Sequence, residues 1–362
     1  MIHRTGPAWQ PSQQINTEID GKSRDHTGNP AIVYDHWQTE LQQAIRDPKE
    51  LLDILNISDD YLPGAQAASR LFPLRVPRSF VARMEAGNPN DPLLQQVLPL
   101  SRELTPVEGY SSDPVGEQQG HNHGVIQKYH GRVLFVVNGL CAVNCRYCFR
   151  REFPYADNRL SRPEWEQAIA TIAKDTRIEE VIYSGGDPLA SSDRQLTWLT
   201  QQLASIPHLK RLRIHTRFPV VIPSRITDDC LDWLTSHRLA SVMVLHINHA
   251  NELQDQRLLD SLKTLKHAGV TLLNQAVLLK GINDDVETQT QLNSSLFDAG
   301  VLPYYLHTLD KVNGAAHFDI PLETAKSLYR DVQARQSGYL VPKLVTETAG
   351  QPSKTLVPVT NL

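Results

Sequence analysis

A chain of 362 residues, 40% hydrophobic and 21% charged, can bury one large core, alone or with an appendage. Its formal net charge of -4 gives no electrostatic reason to expect nucleic acid or a membrane surface as partner, and apolar runs such as Leu134 to Val137 and Val242 to Leu245 are too short to cross a bilayer. Four cysteines, three of them clustered, make no secreted disulfide framework, and the opening residues lack the apolar stretch of a signal peptide, so a reducing cytoplasm is the expected location.

Residues 1–30 are rich in Gln, Pro, Asp, Thr and Gly without a period and read as a flexible tail. Residues 31–112 read as a helical region. Trp37, Leu41 and Ile45, then Leu51, Leu52 and Leu55, keep helical spacing on either side of Pro48, which predicts two helices. The stretches PRSFVARMEAG and DPLLQQVLPL predict further helix, each with a proline in its opening turn. From Arg132 the texture changes to β-rich runs alternating with amphipathic segments. Strands at 132–137, 179–184, 211–216, 241–247, 271–279 and 301–307 precede helices near 162–174, 193–205, 225–237, 252–267, 286–299 and 322–337. Six such units predict an α/β fold of parallel strands, a partial, TIM-like (β/α)6 barrel over 113–338 in preference to a doubly wound sheet. In either architecture the loops after the strand C-termini carry the chemistry.

The first of those loops reads NGLCAVNCRYCFRR, with Cys141, Cys145 and Cys148 spaced C-x3-C-x2-C; Cys230 stands alone elsewhere. A structural zinc site takes four protein ligands, and no fourth cysteine or nearby histidine completes this one. A single thiol would be an ordinary buried residue, but three in eight residues of a cysteine-poor chain suit a 4Fe-4S cluster that leaves one iron without a protein ligand.

This spacing, with Tyr147 before the third cysteine and a strand before the first, resembles the signature of the radical S-adenosylmethionine (SAM) superfamily. There the open iron binds the amino and carboxylate groups of SAM, and an electron from the cluster cleaves it to a deoxyadenosyl radical. YSGGDPL, at the end of the second strand, looks like the family's glycine motif for the SAM amino group, which assigns Ser184, Gly185, Gly186 and Asp187 to SAM. Taken alone, a GGD triplet is more often a turn.

Further stretches resemble the lysine 2,3-aminomutase family in order and spacing: YSGGDPL, RFPVVIPSRI, HINHANE, NQAVLLKGIND, PYYLHTLD and GYLVPKLVTETAG. The resemblance runs from about Pro92 almost to the end. It implies pyridoxal 5'-phosphate (PLP) beside SAM and makes 339–362 a C-terminal PLP-binding segment, with Lys354 as the lysine joined to PLP. Gln351, Pro352 and Ser353 stand where the family has glycines, and a lone lysine eight residues from the end is otherwise an ordinary solvated charge. Lys343, the nearest competitor, suits a strand better. The resemblance assigns the PLP phosphate to Arg132 and, in place of an arginine, Lys128. It assigns the substrate carboxylate to Arg150, the distant substrate ammonium to Asp310 and Glu347, and SAM contacts to His246 and Gln275. Two acids facing an ammonium favour lysine over glutamate as substrate.

The chain stops soon after Lys354 and has no cysteine beyond Cys230, whereas fermentative members continue with a Cys-rich extension. It is thus similar to the branch that makes (R)-β-lysine for modification of a lysine on elongation factor P. The implied partners are L-lysine, a flavodoxin- or ferredoxin-like reductant protein, and elongation factor P with its lysyl ligase; the resemblance leaves room for a homo-oligomer. The alternatives are a catabolic free-lysine aminomutase and a non-catalytic Fe-S binding or sensing module. Retention of Arg150, Asp310, Glu347 and Lys354 together speaks against the latter.

Overall fold

The computed structural model describes residues 36–117, 124–155 and 160–359, so the tail expected at 1–30 lies outside the described residues. Helices Trp37–Gln42 and Pro48–Ile54 are separate, as the proline predicts; Pro48 opens the second, and the Asp47 side chain accepts from Lys49 N at 3.0 Å. A third helix, Leu62–Leu71, follows. The two further helical stretches shrink to single turns, Arg78–Val81 and Pro92–Gln95. Asp91 caps the second, accepting from Leu93 N and Leu94 N at 2.8 Å each. Their apolar residues, Phe80 and Leu94 within those turns and Met84, Val97 and Leu98 in the irregular chain after them, are buried in the main core. Tertiary packing thus satisfies the apolar periodicity without a long helix.

One nine-stranded sheet dominates the molecule, its strands side by side in chain order. They are β1 (Val125–Tyr129), β2 (Arg132–Asn138), β3 (Glu180–Gly185), β4 (Arg211–Thr216), β5 (Ala240–Leu245), β6 (Thr271–Val277), β7 (Leu302–His307), β8 (Lys343–Thr346) and β9 (Thr355–Leu356). β2 through β8 are parallel, while β1 and β9 pair antiparallel at the two edges. The six expected helices form in the crossovers as Arg162–Lys174, Asp193–Ala204, Asp228–Thr235, Gln256–His267, Val286–Asp298 and Leu322–Arg335. The C-terminal segment adds the seventh parallel strand, and Lys343 opens it, as its setting in VPKLV suggests.

Burial explains the polar alternation inside nominally buried strands. In β4, Leu212, Ile214 and Thr216 are buried, whereas Arg213 and His215 point into an internal cavity. β6 repeats the device with Gln275. Leucines of the crossover helices, such as Leu199, Leu203, Leu258 and Leu262, fill the outer face of the sheet. The sheet curls until its ends meet: Tyr129 on β1 donates its hydroxyl to Glu347, just past β8, at 2.5 Å.

Candidate active site

Inside the curl lies a cavity of about 690 Å³, and nearly every residue singled out from the sequence borders it. The cysteine loop after β2 forms one wall. It is anchored from the helical region: Arg146 N donates to Gln96 O at 2.9 Å, Asn144 N to Arg75 O at 3.0 Å, and Arg75 Nη1 to Cys141 O at 2.9 Å. Buried Glu103 receives Arg146 at 2.5 Å and Arg151 at 2.9 Å. The helical region is therefore the clamp that shapes this loop.

Arg217, after β4, reaches Cys145 Sγ at 2.8 Å and donates to Tyr147 Oη at 2.6 Å and Gln96 Oε1 at 2.7 Å, with Glu252 at 2.9 Å. Burial pushes the Cys141 thiol well up and the Cys148 thiol up to about 11, each aided by the neighbouring cysteines. Cys141 and Cys148 resist becoming thiolates in this buried setting, and with Cys145 beside them they make a donor set that a cationic cluster completes. Among the described residues no three His, Cys, Asp or Glu side chains converge on one point as ligands of a single ion do. A 4Fe-4S cluster differs in just this respect, since its three thiolates hold three different irons. The residues fit the cluster.

The glycine motif abuts this loop. Gly185 has φ of +120°, and a Cβ there would lie 2.4 Å from Asn138 O; at Gly186 it would lie 2.7 Å from Gly139 C. Gly186 N donates to Asn138 O at 2.6 Å and Asp187 N to Leu140 O at 2.9 Å. In this structure the close approach the glycines permit is thus to the cysteine loop. The Asp187 carboxylate accepts from Thr216 Oγ1 at 2.7 Å, Arg217 N at 2.8 Å, Phe218 N at 3.0 Å and Leu189 N at 3.0 Å, which joins the loops after β3 and β4. Burial pushes it up to about 6 against those hydrogen bonds.

Arg150 is buried and bridges the two motifs. Its Nη1 donates to Ser184 Oγ at 2.9 Å and Gly185 O at 3.3 Å, and its Nε to Glu117 Oε2 at 2.7 Å. Burial disfavours the guanidinium charge, but Glu117, together with Tyr155 and Cys148, outweighs it and raises the group above its ordinary value. Nothing in the sequence points to Glu117, because it is 33 residues away and only the fold brings it in.

The opposite wall comes from the last strands. Lys354 Nζ pairs with Glu347 Oε2 at 2.7 Å and lies 5.9 Å from the Tyr305 ring centroid. Glu347, expected to face a substrate ammonium, is therefore partnered by Lys354, the lysine expected to join PLP, and by Tyr129. Arg132 and Asp310 line the same cavity; the Arg132 guanidinium stacks 4.5 Å over the Tyr129 ring. Lys128 is on β1, and its side chain lies outside the described residues. Gln275 Nε2 and His246 Nε2 are 2.8 Å apart. Burial pulls His246 down to about 3, with Arg217, Lys354 and Arg150 adding to the effect, and pulls His215 and His307 well down too. Neutral imidazoles therefore face the cavity, and the Nε2 atoms of His215 and His307 are buried without a partner. Sequence reasoning missed both histidines, although His215 sits within RLRIHT and His307 within PYYLHTLD. A reactive amine, cations and orphaned polar atoms around one space fit PLP and SAM.

Comparison with known proteins gives the family. Residues 135–291 match the family profile described as the Radical SAM superfamily. The chain is 50% identical over 320 residues to the L-lysine 2,3-aminomutase of Escherichia coli (strain K12), spanning 88% of this chain and 93% of that one. It is 51% identical to the L-lysine 2,3-aminomutase of Haemophilus influenzae (strain ATCC 51907 / DSM 11121 / KW20 / Rd), over 89% of this chain and 95% of that one. Against the enzyme of the same name from Clostridium subterminale the identity is 29%, over 90% of this chain and 78% of the relative.

Proposed function

Because the chain belongs to the radical SAM lysine 2,3-aminomutase family, isomerases that work with a 4Fe-4S cluster, SAM and PLP, we propose that it converts L-α-lysine to (R)-β-lysine for modification of a lysine on elongation factor P. One observation carries the reading: a single cavity is bordered at once by the three clustered cysteines, Arg150, Asp310, Glu347 and Lys354. When bound, the three groups supply an electron, a hydrogen-abstracting deoxyadenosyl radical, and a covalent hold on the substrate amine that spreads an unpaired electron.

The chain's own residues divide the remaining work. Cys141, Cys145 and Cys148 hold three irons and leave the fourth for SAM. Ser184, Gly185 and Gly186, braced by Asp187, form the SAM side with His246 and Gln275. Lys354 holds PLP, and Arg132 with Lys128 meets its phosphate. Arg150, oriented by Glu117, receives the substrate carboxylate with the planar fork that suits it. Asp310 and Glu347 receive the distant ammonium and repel a side-chain carboxylate. These positions fix both ends of the substrate and hold its middle toward SAM.

The choice of branch rests on the resemblance; within the family the chain is 50% and 51% identical over the aligned residues to two relatives that it nearly spans, and 29% to one that it spans to 78%. On this reading it takes electrons from a flavodoxin- or ferredoxin-like protein and passes its product to the lysyl ligase of elongation factor P. The test is anaerobic incubation of cluster- and PLP-loaded protein with L-lysine, SAM and a strong reductant, followed by chiral analysis of the lysine isomers. (R)-β-lysine is the expected product. The (S) isomer, or a product that the elongation factor P ligase does not accept, would contradict the assigned role.

A further inference from the structure

Arg217 is buried, at 6% exposure, and its guanidinium faces two ways at once. Nη1 donates to Cys145 Sγ at 2.8 Å and to Tyr147 Oη at 2.6 Å, while Nη2 donates to Gln96 Oε1 at 2.7 Å and to Glu252 Oε2 at 2.9 Å. Its Nε is buried without a partner. We propose that Arg217 sets the electron affinity of the cluster: its guanidinium, bonded to the Cys145 sulfur, stabilises the reduced form and raises the reduction potential. The inference rests on the assignment of Cys141, Cys145 and Cys148 to the cluster.

The sulfur is not what holds the guanidinium in place. Gln96 and Glu252 fix Nη2, the Phe80 ring centroid lies 5.4 Å from Cζ, and Arg217 N donates to Asp187 Oδ2 at 2.8 Å. Glu252 is itself fixed, its Oε1 accepting from Asn248 N at 2.9 Å and from Gln96 Nε2 at 3.2 Å. Arg217 therefore keeps its position when Cys145 exchanges its proton for iron. The ion pair is also oriented: the carboxylate sits on Nη2 and the sulfur on Nη1, so the positive end of the pair meets Cys145. One electron taken from a low-potential donor makes the ligated cluster one unit more negative, and the cysteine sulfurs share that charge. An N–H bond from a cation to such a sulfur is stronger after reduction than before it, and buried surroundings screen it little. Hydrogen bonds to the sulfurs and local charge are the levers that set such a potential. Bracing the loop asks only for hydrogen bonds, whereas shifting the electron affinity asks for the charge as well.

The test uses the full chain loaded anaerobically with its cluster and free of SAM, titrated with dithionite while the reduced cluster is followed by electron paramagnetic resonance. Arg217→Gln should weaken the one-electron reduction about tenfold, lowering the midpoint by about 59 mV. Glu252→Gln, which removes the opposing charge and leaves the guanidinium, should raise the midpoint, a change of sign that a loosened loop does not produce. Because Arg217→Gln strands a buried carboxylate, the double variant Arg217→Gln with Glu252→Gln is measured beside it, and its midpoint should also lie below wild type. An unchanged or raised midpoint in both Arg217 variants, or shifts of the same sign in Arg217→Gln and Glu252→Gln, overturns the proposal. Loss of the cluster from both Arg217 variants would make Arg217 a brace of the cysteine loop alone and would overturn it too. Wild type that assembles no 4Fe-4S cluster would refute the cysteine assignment itself, and this proposal with it.

Discussion

Asp310 and Arg150 border the same cavity, and each makes a different prediction. If Asp310 helps hold an ammonium in a partly dehydrated site, Asp310→Asn leaves that cation short of a charged partner, at a cost of about 3 kcal/mol. Lysine turnover should fall roughly a hundredfold, while cluster, SAM and PLP binding persist, and competition between lysine and its ε-acetylated analogue should shift toward the analogue. Arg150→Lys should slow turnover without changing that competition, because it acts at the end every α-amino acid shares. Glu117→Gln should mimic Arg150→Lys in steady-state kinetics, raising KM as the guanidinium loses the partner that aims its fork. Arg150 could be named from its place after the third cysteine. Glu117 and Tyr129 could not, since their contacts span 33 and 218 residues and exist only once the sheet has curled.

Among the elements, the loop between β2 and the helix Arg162–Lys174 depends on a carboxylate outside its own motif. Glu103 is buried between Arg146 and Arg151, so Glu103→Gln strands two buried guanidinium groups, at a cost of about 3 to 5 kcal/mol. Thermal unfolding should show that loss, and iron bound after anaerobic reconstitution should drop with it. Cys230 gives the opposite case. It is buried in the helix Asp228–Thr235 behind the sheet and borders no part of the cavity, so Cys230→Ala should keep about four irons per chain, while Cys141→Ala, Cys145→Ala or Cys148→Ala should abolish SAM cleavage. Loss of iron in Cys230→Ala with retention in Cys141→Ala would overturn the cluster assignment. The strand-then-helix units were legible because their apolar runs are long and their periods distinct. The stretches around Phe80 and Leu94 were not, since the same apolar spacing serves irregular chain packed against the core. Nor were β1 and β9, short edge strands whose pairing depends on neighbours rather than on their own pattern.

At the scale of the whole molecule, a sheet laid out in chain order brings its first and last strands together, so a cysteine loop near residue 145 and a lysine at 354 border one space. The resemblance named most of the residues on both walls but not how the walls are tied, which is the work of Tyr129 with Glu347 and of Arg150 with Glu117. The central claim is that SAM and substrate share this space closely enough for one hydrogen to pass between them and back. It is tested by incubating the loaded, reduced protein with L-lysine carrying deuterium at the β-carbon, then recovering SAM and examining its 5' carbon by mass spectrometry. Deuterium accumulating there, together with β-lysine, is the predicted result. Unlabelled SAM recovered beside converted lysine would contradict the account.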